Sequence, residues 1–196
     1  MARIPYVERE SLSDEMRSLL DSSCPPAELA APYRELMAKT ERNSYRAIGH
    51  LPAVLERYRA LVDAIKADSG LTTFEQELII LACAREIPSR YEWHNHVRIA
   101  LNHGIDADTI RSISRKEFEA FEPEHATLFR YVIRFLHGTV DDQLHAELAE
   151  AYPTETVVGI GLFAAYWLAN ARFVEALGVE IEEPFVGWEL ENIQAE

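Results

Sequence analysis

The chain has 196 residues, of which 48% are hydrophobic and 27% charged, and its formal net charge is -14. This length and composition are ordinary for a soluble globular protein with one sizeable core. The negative charge argues against a surface for nucleic acid or for an anionic membrane, because the protein's own field would repel either polyanion.

The chain contains two cysteines, Cys24 and Cys83. Their number and spacing exclude a disulfide framework, a Cys-x-x-Cys redox pair and a zinc knuckle. The N-terminal segment MARIPYVERE lacks the apolar core of a signal peptide, and the longest apolar run, 157–169, is too short to span a bilayer. We therefore expect a cytoplasmic protein without a membrane anchor.

Apolar residues recur with the period of an α-helix between capping residues, and no segment sustains the alternation of a strand. The predicted fold is all-α, in one domain with an N-terminal extension (1–42), a helical core (43–177) and an acidic tail (178–196). The predicted helices cover 13–20, 43–50, 52–70, 74–86, 89–103, 106–113, 123–138, 141–152 and a long last helix from Thr154 or Thr156 to Leu177. Between the first two helices, Pro25, Pro26 and Pro32 are expected to break the segment up to Met37 into short pieces.

Two of these helices carry more specific predictions. One face of helix 52–70 is apolar, formed by Val54, Leu55, Tyr58, Leu61, Val62 and Ile65. The last helix is apolar on nearly every face until Asn170, which is typical of a central core helix or of a subunit interface. Its small residues Gly159, Gly161, Ala164 and Ala165 would permit close helix approach. The acidic tail is expected to fold over the protein surface or over a neighbouring subunit.

Glu77 is the first residue whose sequence context suggests a functional role. It precedes an unbroken apolar or small run, 78–83, so its helix has almost no solvated face. A carboxylate without water is retained only with a partner. Glu77 is therefore either a member of a structural ion pair or a proton-transfer residue.

Glu92 and His96 lie four residues apart and so share a helix face. A carboxylate beside an imidazole orients the ring and stabilises its protonated form, which suits a general acid or base. The structural alternative is an ordinary surface pair worth about 0.3–0.5 kcal/mol. The short break from Glu86 to Pro88 should make the two helices neighbours, and this would bring Glu77 to the same face.

Other kinds of site receive little support. His94 and His96 point to different faces, and Glu92, His96 and His103 offer at most three ligands on one stripe, so we predict no metal site. Glu122 and His125 form a single Glu-x-x-His, whereas a di-iron bundle needs two. Neither a Gly-x-Ser-x-Gly motif nor a Gly-rich phosphate loop occurs in the sequence.

Glu77 lies in the segment 71–85 (LTTFEQELIILACAR), Glu92 and His96 lie in the segment 91–100 (YEWHNHVRIA), and the segment 104–110 (GIDADTI) follows. These three segments resemble the signature of the carboxymuconolactone decarboxylase family, which is related to alkylhydroperoxidase D. With the similar upstream stretch NSYRAIGHLP, the resemblance covers residues 43–115.

In the peroxidase branch of that superfamily, a Glu is followed after eleven residues by Cys-x-x-Cys-x-x-x-His. The same spacing here gives Glu77, Ser89, Glu92 and His96, so both thiols are replaced. Because a disulfide-cycling reductant needs two thiols, we predict that the family's peroxiredoxin-type activity is absent.

The resemblance implies an all-helical homo-oligomer (dimer, trimer or hexamer) that decarboxylates a small lactone or keto acid without a cofactor. In such an enzyme His96 would protonate the carbanion that carbon dioxide leaves behind, and Glu77 and Glu92 would orient the imidazole. The expected substrate-binding residues are Tyr91 and one or more of Arg46, Arg85, Arg90 and Arg98. Two alternatives stay open: a thiol-dependent antioxidant protein, and a helical oligomer that binds a ligand without turning it over.

Overall fold

The computed structural model describes residues 1–21 and 41–193, and these residues form α-helices joined by short connections. The helices are α1 (Asp14–Ser18), α2 (Asn43–Ile48), α3 (Pro52–Asp68), α4 (Thr73–Glu86), α5 (Arg90–Asn102), α6 (Ala107–Arg115), α7 (Pro123–Leu136), α8 (Asp142–Ala151) and α9 (Thr154–Leu177). Short 3-10 turns occur at Arg9–Ser11 and Phe118–Ala120, and the described residues contain an isolated antiparallel bridge, Asp21 to Glu41, but no strand. The all-α prediction is confirmed. The predicted break at Pro25, Pro26 and Pro32 and the residue Cys24 lie outside the described residues.

Local signals place the helix boundaries close to the predicted ones. Thr72 and Glu75 form a complete capping box at the start of α4, in which each side chain bonds the other's backbone N–H. Ser89 caps α5 by accepting a hydrogen bond from the backbone of Glu92. Gly104, with a φ of +80°, follows His103, the C-cap residue of α5, in the left-handed conformation that glycine adopts at low cost.

Helix α4 is the centre of the core. Its residues 78–84 have at most 1% of their surface exposed. It contacts α5, α6, α7 and α9, so its side chains are covered on all sides. This burial explains why the helix is apolar all round, and it places Glu77 deep in the protein.

The predicted apolar face of α3 is wrong at two positions. Leu55 and Val62 are buried, but Val54 is 49% and Leu61 52% exposed. Each exposed residue precedes a buried one, and one residue corresponds to a rotation of about 100° around the helix. The face that α9 covers is therefore narrower than the set of apolar residues suggests.

Helix α9 is buried on one side and not all round. Ile160, Phe163 and Trp167 face the core, whereas Val158 and Leu162 are more than half exposed. By length and composition alone this helix could cross a membrane, but 56% of its apolar window is buried within the protein, as in the core helix of a globular protein.

The two glycines of α9 have different environments. A Cβ on Gly159 would lie 2.5 Å from the Cβ of Ser69, so the absence of a side chain allows α9 to approach the end of α3. A Cβ on Gly161 would meet no atom within 4 Å. Of these two glycines, only Gly159 makes the predicted close approach to another helix.

The acidic tail folds over its own chain and packs on α5. Trp93 donates its indole N–H to the carbonyl of Gly187 at 2.9 Å, and the backbone N–H of Val186 donates to Nδ1 of His94 at 3.2 Å. Glu183 pairs with Arg98, whose side chain is completely buried. The tail thus supplies the polar partners that the buried residues of α5 require.

Candidate active site

Glu77 of α4 and His96 of α5 meet in the protein interior. Oε2 of Glu77 lies 2.9 Å from Nδ1 of His96, and the two residues are 2% and 5% exposed. The three-residue break between the helices brings these residues together, although they are 19 positions apart in sequence. The predicted juxtaposition of Glu77 and His96 is therefore present.

The contact with Glu77 fixes the chemistry of the imidazole ring. A carboxylate accepts hydrogen bonds, so Nδ1 of His96 carries a proton and Nε2 is left for other chemistry. Nε2 lies 4.0 Å from Oε2 of Glu92. The ring also packs edge-on against Trp167, with the ring centroids 4.4 Å apart. Nδ1 of His96 is therefore bound to Glu77 and the ring packs on Trp167, while Nε2 faces the carboxyl group of Glu92.

Glu92 is buried, and one of its oxygens is engaged. Oε1 accepts a hydrogen bond of 2.7 Å from the side-chain amide of Asn170 on α9. Burial raises the pKa of Glu92 to about 8, with the negative charges of Glu182 and Glu175 acting in the same direction. At neutral pH this carboxyl group is mostly protonated and can donate a proton. The 4.0 Å between Oε2 and Nε2 of His96 exceeds a hydrogen bond and leaves room for a bridging or reacting atom.

A cavity of about 60 Å³ opens at this site, which is space for a few water molecules or for the polar head of a small molecule. Its lining is mostly polar and comprises Arg42, Ser44, Tyr45, Arg59, Val62, Asp63, Lys66, Tyr91, Glu92, Asn95, His96, Ile99, Tyr166, Trp167 and Asn170. Nη1 of Arg42 and Oδ1 of Asn95 are buried and make no hydrogen bond within the part of the chain that the structure describes. Oδ1 of Asn95 is therefore an acceptor available to a bound molecule, whereas Nη1 of Arg42 lies 3.8 Å from Oε2 of Glu182 in a buried ion pair.

None of the four predicted substrate-binding arginines lines this cavity. Arg46 binds the carbonyl of Val7, Arg85 binds the carbonyl of Ser114, Arg90 stacks on Phe185, and Arg98 pairs with Glu183. Each is held by a partner outside the cavity. The cations that do line it are Arg42, Arg59 and Lys66. Arg42 directly precedes α2, and because a single residue before a helix shows no periodicity, the sequence pattern did not indicate it.

Tyr91 lines the cavity, but its hydroxyl group is already engaged. It donates to Oε1 of Glu182 in the tail at 2.7 Å and accepts from the backbone N–H of Ser44 at 3.0 Å. Burial raises the pKa of Tyr91 well above its ordinary value. Tyr91 thus joins α2, α5 and the tail beside the cavity.

The thiol chemistry of the peroxidase branch finds no counterpart in the described residues. Ser89, at one thiol position, is fully buried and caps α5. Glu92 stands at the other. Cys83 is 1% exposed, and burial raises the pKa of its thiol far above the usual range, so the reactive thiolate is disfavoured.

His, Cys, Asp and Glu side chains do not gather in a group of three suited to a metal ion anywhere in residues 1–21 and 41–193. His94, two positions from His96, faces the tail and not the cavity. The site is therefore best described as an imidazole between two carboxyl groups.

Comparison with known proteins supports the resemblance seen in the sequence. The carboxymuconolactone decarboxylase family model matches residues 52–120. The fold is similar to that of an alkylhydroperoxidase AhpD core structure, an uncharacterized peroxidase-related protein from Ralstonia eutropha JMP134, with a TM-score of 0.77 and 17% identity over 96% of each chain. It is also similar to the debrominase Bmp8, solved without ligand and with 2,3,4-tribromopyrrole, with a TM-score of 0.76 and 14% identity over 96% of each chain. No curated protein sequence matches the chain. At these identities the structural likeness establishes the fold.

Proposed function

We propose that the chain is a cofactor-independent enzyme acting on a small lactone or keto acid, since its residues 52–120 match the carboxymuconolactone decarboxylase family model. The observation that carries the proposal is the hydrogen bond from Nδ1 of His96 to Glu77. It directs Nε2 to Glu92 and the cavity, which is the arrangement that a general acid or base requires.

The proposed reaction is decarboxylation with proton transfer by His96. The bond between the carboxylate and the adjacent carbon breaks, and its electron pair moves into a conjugated carbonyl group to form an enolate. The enolate carbon then takes the proton from Nε2 of the imidazolium, which becomes neutral. Glu77 stabilises the charged ring through Nδ1, and the acid form of Glu92 restores the proton to Nε2.

The charges around the cavity favour an anionic substrate. Arg42, Arg59 and Lys66 line it, against the carboxyl groups of Glu92 and Asp63, and Arg42 is also paired with Glu182 at 3.8 Å. In a chain with a net charge of -14, such a local group of cations is what allows a carboxylate to approach. The cavity admits the acidic head of the substrate, and the remainder would extend towards the surface.

The alternative functions remain as hypotheses with less support. A thiol-dependent antioxidant protein is disfavoured because Cys83 is buried and Ser89 and Glu92 occupy the thiol positions. A ligand-binding protein without turnover would use the same cavity. The homo-oligomer, the cytoplasmic location and the absence of nucleic-acid and membrane partners stay predictions of the sequence.

The test is a substrate screen combined with site variants. Carboxylated lactones and 3-oxo acids are incubated with the protein, and the release of carbon dioxide is measured. We expect turnover with at least one compound, and a loss of 100-fold or more, on the order of a general acid's contribution, in His96→Gln and in Glu77→Gln. His103→Gln is the matched control, since His103 is exposed near the end of the same helix and does not line the cavity.

Each other result selects a different function. Unchanged turnover in His96→Gln would show that the proposed role is wrong. Saturable binding of a compound without product formation, abolished by changes in the cavity, would favour the ligand-binding alternative. Peroxide reduction that disappears in the Cys24→Ser and Cys83→Ser variants would favour the antioxidant protein.

A further inference from the structure

A chain of hydrogen bonds joins the candidate site to helix α3. The hydroxyl group of Tyr58 donates to Oδ1 of Asn170 at 2.9 Å, and Nδ2 of Asn170 donates to Oε1 of Glu92 at 2.7 Å. The three residues lie on α3, α9 and α5, and Asn170 is 7% exposed. Asn170 is the first polar residue after the long apolar run of α9, so the fold retains an amide where an apolar side chain would pack at lower cost.

The direction of each hydrogen bond in this chain is fixed. The hydroxyl group of Tyr58 is the donor, and Oδ1 of Asn170 is the acceptor. An amide has one accepting end and one donating end. With Oδ1 facing the Tyr58 proton, the NH2 group faces Glu92, and reversal of the amide would break both bonds.

This direction distinguishes the two oxygens of Glu92. Oε1 receives an N–H group, so a proton on Oε1 would point at another hydrogen atom. The carboxyl proton therefore resides on Oε2, which is the oxygen 4.0 Å from Nε2 of His96. We propose that Asn170, held by Tyr58, is a positioning residue that makes Oε2 the proton-exchanging oxygen of Glu92. This inference rests on the proposed proton-transfer role of Glu92.

Several other groups influence the charge of Glu92 and must stay constant in a test. The negative groups that act on it are Glu182 of the tail and Glu175 of α9. The ionisable groups that share its cavity or its hydrogen-bond chain are Arg42, Tyr45, Tyr58, Arg59, Asp63, Lys66, Tyr91, His96 and Tyr166. Replacement of a tyrosine by phenylalanine changes no charge below pH 10 and so leaves this field intact.

The test measures the titration of Glu92 in the resting protein, without substrate. The carboxyl ¹³C signal of Glu92, assigned by its absence in Glu92→Gln, is followed with pH, and the parent protein is expected to titrate near 8. In Tyr58→Phe the amide of Asn170 is free to turn and to accept a proton from Oε1. This stabilises the acid form, so we expect the midpoint to rise by about one pH unit.

Two further variants separate positioning from a general structural effect. Asn170→Ala removes the donor to the carboxylate, so the midpoint should also rise. Because Tyr58 acts only through Asn170, the Tyr58→Phe/Asn170→Ala double variant should titrate like Asn170→Ala alone. Tyr166→Phe is the matched control, since it removes a neighbouring hydroxyl group but keeps the bond from Tyr58 to Asn170, and its midpoint should equal that of the parent.

The inference is overturned by an unchanged midpoint in Tyr58→Phe, by additive shifts in the double variant, or by an equal shift in Tyr166→Phe. If Tyr58→Phe does not fold, the titration midpoint of Glu92 in Asn170→Ala is the test. A midpoint that does not rise in that variant overturns the inference. Once a substrate is known, kcat should fall in Tyr58→Phe while KM is unchanged. The titrations need no substrate, so a screen without turnover would count against the proposed function and leave this inference standing.

Discussion

At the scale of single residues, the sequence indicated those residues of the candidate site whose local spacing or local sequence context is unusual. Glu92 and His96 lie one helical turn apart, and Glu77 stands out as a carboxylate in an apolar helix, so their patterns carry information. Asn170 binds Glu92 across 78 positions of sequence, and its only signal was a polar residue after an apolar run. Arg42 gave no signal because its burial depends on how the tail and α2 meet, which is a tertiary property.

Glu92 should make the stability of the protein depend on pH. Its pKa is raised from 4.5 to about 8, so between these values the folded state binds more protons than the unfolded state. The stabilising contribution is complete below pH 4.5 and is lost as the pH rises through about 8. Glu92→Gln retains an uncharged side chain at every pH. The free energy of unfolding of the parent should therefore fall relative to that of Glu92→Gln, by up to about 1.4 kcal/mol per pH unit.

Denaturant unfolding of both proteins from pH 5 to pH 9 checks this expectation. All other ionisable groups are shared, so their effects cancel in the difference between the two curves. Parallel curves over this range would show that Glu92 titrates near its ordinary value.

At the scale of helices, boundaries were easier to predict than the faces that become buried. Caps such as Thr72 with Glu75 are local and were read correctly. The covered side of α3 depends on the position of α9, so the exposure of Val54 and Leu61 was not predictable from α3 itself. Likewise, the pattern of α9 could not show which of its glycines faces another helix.

The contact of α9 with the end of α3 can be tested through those glycines. In Gly159→Ala the new methyl group would lie 2.5 Å from Cβ and 2.9 Å from Cα of Ser69, so the helices must move apart. We expect a loss of stability of about 1–3 kcal/mol. Gly161→Ala meets no atom within 4 Å and should be neutral or stabilise the helix by up to about 1 kcal/mol. Thermal unfolding of the two variants measures the contrast, and equal losses would contradict the close approach.

At the scale of the whole molecule, the fold class followed from the sequence, but the destination of the tail did not. The sequence left open whether the acidic tail covers its own chain or a neighbouring subunit. The structure places it on α5, where Glu183 meets the buried Arg98. Burial lowers the pKa of Arg98 to about 10, yet the side chain remains charged at neutral pH and needs this carboxylate.

The tail should therefore contribute strongly to stability through Glu183. Glu183→Gln leaves a buried guanidinium without its carboxylate, and we expect a loss of about 3–5 kcal/mol. Glu189 in the same tail pairs with Arg115 at the surface, and Glu189→Gln should cost less than about 1 kcal/mol. Chemical denaturation distinguishes the two, and a small effect of Glu183→Gln would mean that the tail is held mainly by its apolar contacts.

The burial of Cys83 also provides a kinetic probe. In a Cys24→Ser protein, a thiol reagent can reach Cys83 only when α4 opens, so the labelling rate reports the population of opened molecules. Glu77 of the candidate site lies on the same helix, six residues from Cys83. A compound that binds the cavity only in the closed protein therefore reduces the population of opened molecules by a factor of 1 + [L]/Kd. Slower labelling would identify ligands of this protein before any reaction is known.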